Sequence, residues 1–115
     1  MKLSTFNFKY KNKTYSIQVK ECKTILQKTT GLMFRKKSPA LLFLYTKPKK
    51  QAIHSFFCIP FIAIWFNKNK IIKIKLVKPS NPSIKPKEKF DKLLEIPKNN
   101  KQFSEILKEI TSSKN

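Results

Sequence analysis

Residues 6–19 read Phe6-Asn7-Phe8-Lys9-Tyr10-Lys11-Asn12-Lys13-Thr14-Tyr15-Ser16-Ile17-Gln18-Val19, and this stretch decides the fold class. Phe6, Phe8 and Tyr10 alternate with Asn7 and Lys9, while Tyr15, Ile17 and Val19 alternate with Ser16, Gln18 and Lys20. Side chains of a strand point to opposite faces in turn, so each run is a strand with one buried face. Lys11-Asn12-Lys13 supplies the turn of a hairpin, although it lacks the glycine of the strongest hairpin signals.

Beyond the hairpin the period changes. Thr24-Ile25-Leu26-Gln27 fits a capping box, and Gly31, the chain's one glycine, stands where a left-handed residue would close a helix. The pattern predicts a short helix over Ile25 to Thr30. Ala40 to Thr46 is then a short, continuously apolar run, and residues 54–66 hold a second, His-Ser-Phe-Phe-Cys-Ile-Pro-Phe-Ile-Ala-Ile-Trp-Phe. Apolar side chains at both parities predict strands buried on both faces. Pro60 donates no ladder hydrogen bond and marks a bulge or a break.

Asn67-Lys68-Asn69-Lys70 reads as a turn, after which Ile72, Ile74 and Leu76 alternate with Lys73, Lys75 and Val77 in an amphipathic strand. Pro79, Pro82 and Pro86 stiffen an extended connection to about Lys89, and Phe90 to Ile96 forms a last strand. In the tail, residues 98–115, Phe103, Ile106, Leu107 and Ile110 recur at helical spacing behind Asn99-Asn100, with a terminal strand as the alternative. Residues 1–115 thus form a single mostly-β domain of six or seven short strands with one or two short helices. Its architecture is a small barrel or a jelly-roll-like sandwich.

Composition bounds the function. The chain has 115 residues, 26 Lys plus Arg against 6 Asp plus Glu, and a formal net charge of +20. A hydrophobic fraction of 40% with 10 Phe supplies a packed core, which argues against global disorder. The longest apolar stretch, Phe56 to Phe66, is about half the ~20 residues a spanning helix needs, and no amino-terminal apolar segment resembles a signal peptide. Cys22 and Cys58 are too few for a disulfide-built secreted domain, so the expectation is a soluble cytoplasmic chain with free thiols.

Gly31-Leu32-Met33-Phe34-Arg35 resembles the signature of the domain of unknown function 192 family, uncharacterised proteins of archaea and bacteria. Cys22-Lys23-Thr24 stands where that family has Ala-x-Thr, and Leu42-Phe43-Leu44-Tyr45 resembles its Leu-Phe-hydrophobic-aromatic strand. His54-Ser55-Phe56-Phe57 resembles the His-Thr-Phe-Phe of archaeal-type members, and Leu94-Glu95-Ile96-Pro97 the family's Leu-Glu-Leu-Pro ending. The similarity spans about residues 15–97. The chain departs from the pattern at Cys58 and Ala63, where the family usually has Met and Asp, and its carboxyl-terminal Gly-Asp has no clear counterpart here. The resemblance implies a compact β-rich fold and no activity.

The residue types offer little chemistry. His54 and Cys58 are four apart, which on a strand spans ~13 Å and puts them outside dyad reach. With Cys22 they make a weak metal set, and buried thiols more often serve as small hydrophobes. The six carboxylates are scattered, and one glycine cannot build a phosphate loop, so no catalytic residue, metal or cofactor is assigned. Arg35, the only guanidinium, either clamps a carboxylate or phosphate or fixes its own loop. Arg35, His54 and Cys58 are therefore the candidate contacts of an unidentified ligand or protein partner.

The lysines give the rival reading. Lys47, Lys49 and Lys50 cluster in one segment, Lys68, Lys70, Lys73 and Lys75 in a turn and strand, and Lys85, Lys87 and Lys89 in the Pro-rich connection. Such patches attract polyanions by releasing counterions. Tyr10 and Tyr15 flank a basic turn and are candidate base-stacking residues, although their alternation favours the core. With 25 Lys to one Arg, sequence-specific readout is disfavoured, and any RNA or DNA contact is expected to be sequence-independent. The composition otherwise fits a solvated basic surface.

Overall fold

The computed structural model describes residues 3–23, 39–50, 60–78, 84 and 86–112. Its elements are β1 (Ser4–Tyr10), β2 (Lys13–Cys22), β3 (Ala40–Lys49), β4 (Phe61–Asn67), β5 (Lys70–Val77), β6 (Phe90–Pro97) and α1 (Phe103–Ser112). The strands form one sheet in the order β1-β2-β3-β6-β4-β5. All neighbours pair antiparallel except β2 and β3, which run parallel with Val19 opposite Ala40 and Cys22 opposite Phe43.

The hairpin forms as its alternation requires, with Phe8 opposite Tyr15 and Phe6 opposite Ile17. Lys11 and Asn12 take positive φ of 50° and 67°, and the Lys68-Asn69 turn repeats this with 52° and 68°. Two consecutive left-handed residues match the right-handed twist of the flanking strands, which explains how both hairpins close without glycine. Asn tolerates that region because its short polar side chain bonds locally.

The sheet has two apolar faces. The first gathers Phe8, Tyr15, Ile17, Val19, Leu42, Ile62, Ile64, Phe66, Leu94 and Ile96 with Phe103 and Ile106 of α1. Phe66 of β4 meets Phe6 and Phe8 of β1 edge-on, with ring centroids 5.4 and 5.9 Å apart. Three strands separate β1 from β4 in the ladder, so this contact requires the sheet to curl. The alternative of barrel or two-sheet sandwich resolves to one curled half-barrel sheet. The second face holds Cys22, Leu41, Phe43, Phe61, Ala63, Trp65 and Leu93, joined by Val77, Ile84 and Phe90.

Phe61 to Phe66 is buried at every residue, as a run apolar at both parities demands. β4 begins immediately after Pro60, whose carbonyl accepts the Lys98 N–H at 2.9 Å. The tail is a helix rather than a strand: Asn100 accepts the Gln102 N–H through Oδ1 at 2.8 Å and the Phe103 N–H through its carbonyl at 3.1 Å. These contacts occupy donors that a helix start leaves unpaired. The Gln102 side chain also donates to the Ser16 carbonyl at 2.8 Å, which ties the helix start to β2. The expected helix at Ile25 to Thr30 lies outside the described residues, as do Pro79 and Pro82.

Candidate functional site

Two features of the sheet carry chemistry: a lysine-rich rim at one end and a carboxyl buried in the second face. The rim follows from strand direction. β3 ends where β6 begins, with Lys49 opposite Phe90, and β4 ends beside the same strand, with Phe66 opposite Lys92. Lys47, Lys49 and Lys50 therefore flank one side of the start of β6, and Lys68 and Lys70 flank the other. Lys87 and Lys89 stand on the approach to β6, and Lys92 is its third residue. Glu88 and Asp91 are the acidic residues of this end.

Local contacts hold the rim. Asp91 Oδ2 accepts the Lys68 backbone N–H at 3.1 Å, and Lys92 Nζ donates to Asn69 Oδ1 at 2.9 Å, so the β4–β5 turn is tied to β6. Tyr45 meets Phe90 edge-on at 5.3 Å, with Lys49 Nζ 5.6 Å from its ring centre. Lys73 Nζ lies 5.8 Å from the Trp65 ring centre. Lys47, Lys49, Lys50, Lys68 and Lys70 are exposed, and Lys73 is half-buried. Lys75 is exposed farther along β5, opposite Ala63.

At the sheet's other end Glu109 is paired. Lys13 Nζ donates to Glu109 Oε1 at 2.8 Å, and Lys11 Nζ donates to the Glu109 carbonyl. The hydrogen bond to Lys13 holds the Glu109 carboxyl below the usual carboxylate range and the Lys13 ammonium above its own. Tyr15 does not serve as a base-stacking residue: it is buried and stacks on Phe8 at 5.2 Å. Tyr10 is half-buried against the same core.

The second feature escaped the sequence reading. Glu95 sits in β6 between Leu41 of β3 and Ala63 of β4, and is 7% exposed. Burial alone pushes its carboxyl up to about 8, so it is largely protonated at neutral pH. It forms no hydrogen bond or ion pair with any described residue. Tyr45, itself raised by burial, lies close enough to feel both Glu95 and Cys22. The Trp65 indole nitrogen is buried on the same face and has no hydrogen-bond partner among the described residues. Alternation was the available signal: Leu93-Leu94-Glu95-Ile96 places Glu95 on the face of Leu93, and that face proves to be buried too.

Cys22 is a buried thiol on this face, its Sγ 3.8 Å from the Lys20 carbonyl. Gly31, Leu32, Met33, Phe34, Arg35, His54, Cys58 and Lys85 lie outside the described residues. Among the described residues no group of three His, Cys, Asp or Glu is placed to hold a metal ion, and no helix is long and apolar enough to cross a membrane.

The sequence profile of DUF192, described as "Uncharacterized ACR, COG1430", matches residues 7–107. The chain belongs to the DUF192 family. The match takes in the first hairpin and reaches into α1, wider than the resemblance alone. Two solved structures share the fold of this DUF192 chain. One is a protein of unknown function from Novosphingobium aromaticivorans DSM 12444, with TM-score 0.74 and 15% identity over 84% of this chain and 74% of the other. The second, from Sinorhizobium meliloti 1021, is described as a "putative transcription regulator", with TM-score 0.69 and 18% identity over 79% of this chain and 76% of the other. No curated protein matches the sequence.

Proposed function

We propose that this DUF192 chain is a non-catalytic binding module whose lysine rim takes the phosphate backbone of RNA or DNA without reading sequence. One observation carries the reading: lysine groups distant in sequence, at residues 47–50, 68–70 and 87–92, meet at one end of the sheet around the start of β6. Flexible ammonium groups suit a regularly charged backbone, whereas base-specific contacts favour arginine and side-chain amides. The burial of Tyr15 and Tyr10's place against the core remove the two stacking candidates, which leaves phosphate contact as the mode of binding.

The test is a salt series on the full chain with a fluorescein-labelled 20-mer of mixed sequence, single-stranded and duplex. Each phosphate neutralised contributes a slope of about −0.7 for single strands or −0.9 for duplex in log affinity against log salt. The reading expects slopes equivalent to several contacts and equal affinity for unrelated sequences. No binding at ~0.15 M salt, where the screening length is about 8 Å, overturns it.

A further inference from the structure

We propose that the outer edge of β5 pairs with an extended segment of a partner protein in which acidic and apolar residues alternate. The site runs along the side of the sheet, rests on Lys73 and Lys75 rather than on the rim, and does not depend on the rim's function. β5 ends the sheet and pairs with β4, so one row of its backbone N–H and C=O groups has no ladder partner among the described residues. Such a row is a template for one more strand. Residues 73–77 keep regular register with β4, and the shift between Trp65 and Phe66 leaves Ile72 without an opposite residue. The regular part of the edge is therefore the part that carries Lys73 and Lys75.

The side chains of that stretch sort by face. Ile74 and Leu76 stand opposite Ile64 and Ile62 and lie half-buried against the first core. Lys73 and Lys75 stand opposite Trp65 and Ala63 on the second face. Lys73 is half-buried with its Nζ 5.8 Å from the Trp65 ring centre, and Lys75 is exposed. An added strand places its Cβ atoms about 4.5–5.5 Å from those opposite. Its apolar row would cover what Ile74 and Leu76 still show to water, and carboxylates in its other row would meet Lys73 and Lys75.

Charge selects the occupant. A second copy joined edge to edge about a two-fold axis normal to the sheet would set Lys73 and Lys75 against the same two lysines, between chains of +20 each. Lysines on an edge strand turn away such pairings and uncharged strands alike. The same charges favour a strand whose matching row is acidic. The opposite edge, β1, makes no such selection: Lys9 is its one lysine, and its Asn7 and Thr5 already accept from Ser16 and Gln18 of β2.

The probe is a fluorescein-labelled peptide of alternating glutamate and valine, about as long as β5, titrated with the full chain at ~0.15 M salt and followed by anisotropy. A peptide of the same composition with its glutamates in one block has the same charge and is expected to bind roughly tenfold or more weakly. Two N-methylated versions test the ladder. Successive residues of a strand aim their amides to opposite sides, so methylating either the glutamate or the valine amides blocks pairing in one version only. One is expected to lose roughly tenfold or more and the other to stay within about threefold of the unmethylated peptide. Lys73→Glu with Lys75→Glu is expected to weaken the peptide roughly tenfold or more, and Lys47→Glu with Lys49→Glu, an equal change of charge on the rim, by less than about threefold. Thermal melts establish folding, and the exposed Lys75→Glu alone serves where Lys73→Glu disturbs the packing over Trp65. Absence of binding, equal affinity for the alternating and blocked peptides, equal loss in the two methylated peptides, or equal loss from the two lysine pairs overturns the proposal. So does sedimentation of the chain alone as a dimer that the peptide dissociates, which would assign the edge to a second copy.

Discussion

Glu95 faces Ala63 across one ladder and Leu41 across the other, so a carboxyl in the middle of the sheet is bounded on both sides by apolar residues. The sheet tolerates it by keeping it protonated. That relationship sets the chain's response to pH as well as its chemistry.

The sign follows from comparing folded and unfolded chains. Below about 4.5 both hold the proton, and burial of the neutral acid is the only cost. Between 4.5 and about 8 the unfolded chain releases the proton and the folded chain keeps it, so stability falls as pH rises. Above about 8 the fall levels off. Glu95→Gln is therefore expected to flatten this dependence, with a gain on the order of 3 kcal/mol over the parent at pH 7 and little difference at pH 4.5. Urea melts of both proteins from pH 4.5 to 8.5 measure it, and parallel curves refute it.

Helix α1 is held to the first face by Phe103 and Ile106, 6% and 0% exposed. Ile106→Ala leaves a void beneath the helix and is expected to cost about 2–5 kcal/mol. Glu109→Gln removes the carboxylate that pairs with the exposed Lys13 and is expected to destabilise far less than Ile106→Ala. Denaturant melts of the two variants rank packing against charge in docking the helix.

The turn at Lys11-Asn12 makes a local prediction. Asn12 has φ of 67°, a region where a β-branched side chain clashes and glycine is at ease. Asn12→Gly is expected to match or slightly exceed parental stability, and Asn12→Val to lose about 1–2 kcal/mol. Thermal melts of the pair distinguish a backbone requirement from a side-chain one.

Strands were legible where one physical rule dominated. Alternation located β1, β2 and β5, and the unbroken apolar run Phe61 to Phe66 announced a strand buried on both sides. Glu95 was not legible because its neighbours alternate correctly for either a wet or a dry second face. That the face is dry shows only in the tertiary structure, where Phe43, Trp65 and Leu93 beside Glu95 are all buried. The rim was half legible: the lysine groups stand out in sequence, but their meeting depends on β6 pairing between β3 and β4. No local pattern encodes that strand order. The tail's ambiguity ended in a helix because Phe103, Ile106, Leu107 and Ile110 all find the first face.

The rim reading makes a positional prediction, since net charge alone would attract a polyanion anywhere on the surface. Lys49 and Lys70 are exposed on either side of the start of β6, while Lys9 and Lys108 are exposed toward the end where Glu109 meets Lys13. Lys49→Glu with Lys70→Glu and Lys9→Glu with Lys108→Glu change the net charge identically. The rim pair is expected to weaken binding of the labelled 20-mer roughly tenfold or more and to reduce its salt slope by about 1.5–2. The distal pair is expected to have a smaller effect on affinity and to leave the slope near the parental value. Both pairs lie on exposed positions, where substitutions usually change stability by about 0.5 kcal/mol or less, so thermal melts serve as the folding control. Equal losses from the two pairs would mean that the lysines act only through total charge, and the rim would lose its claim to be a site.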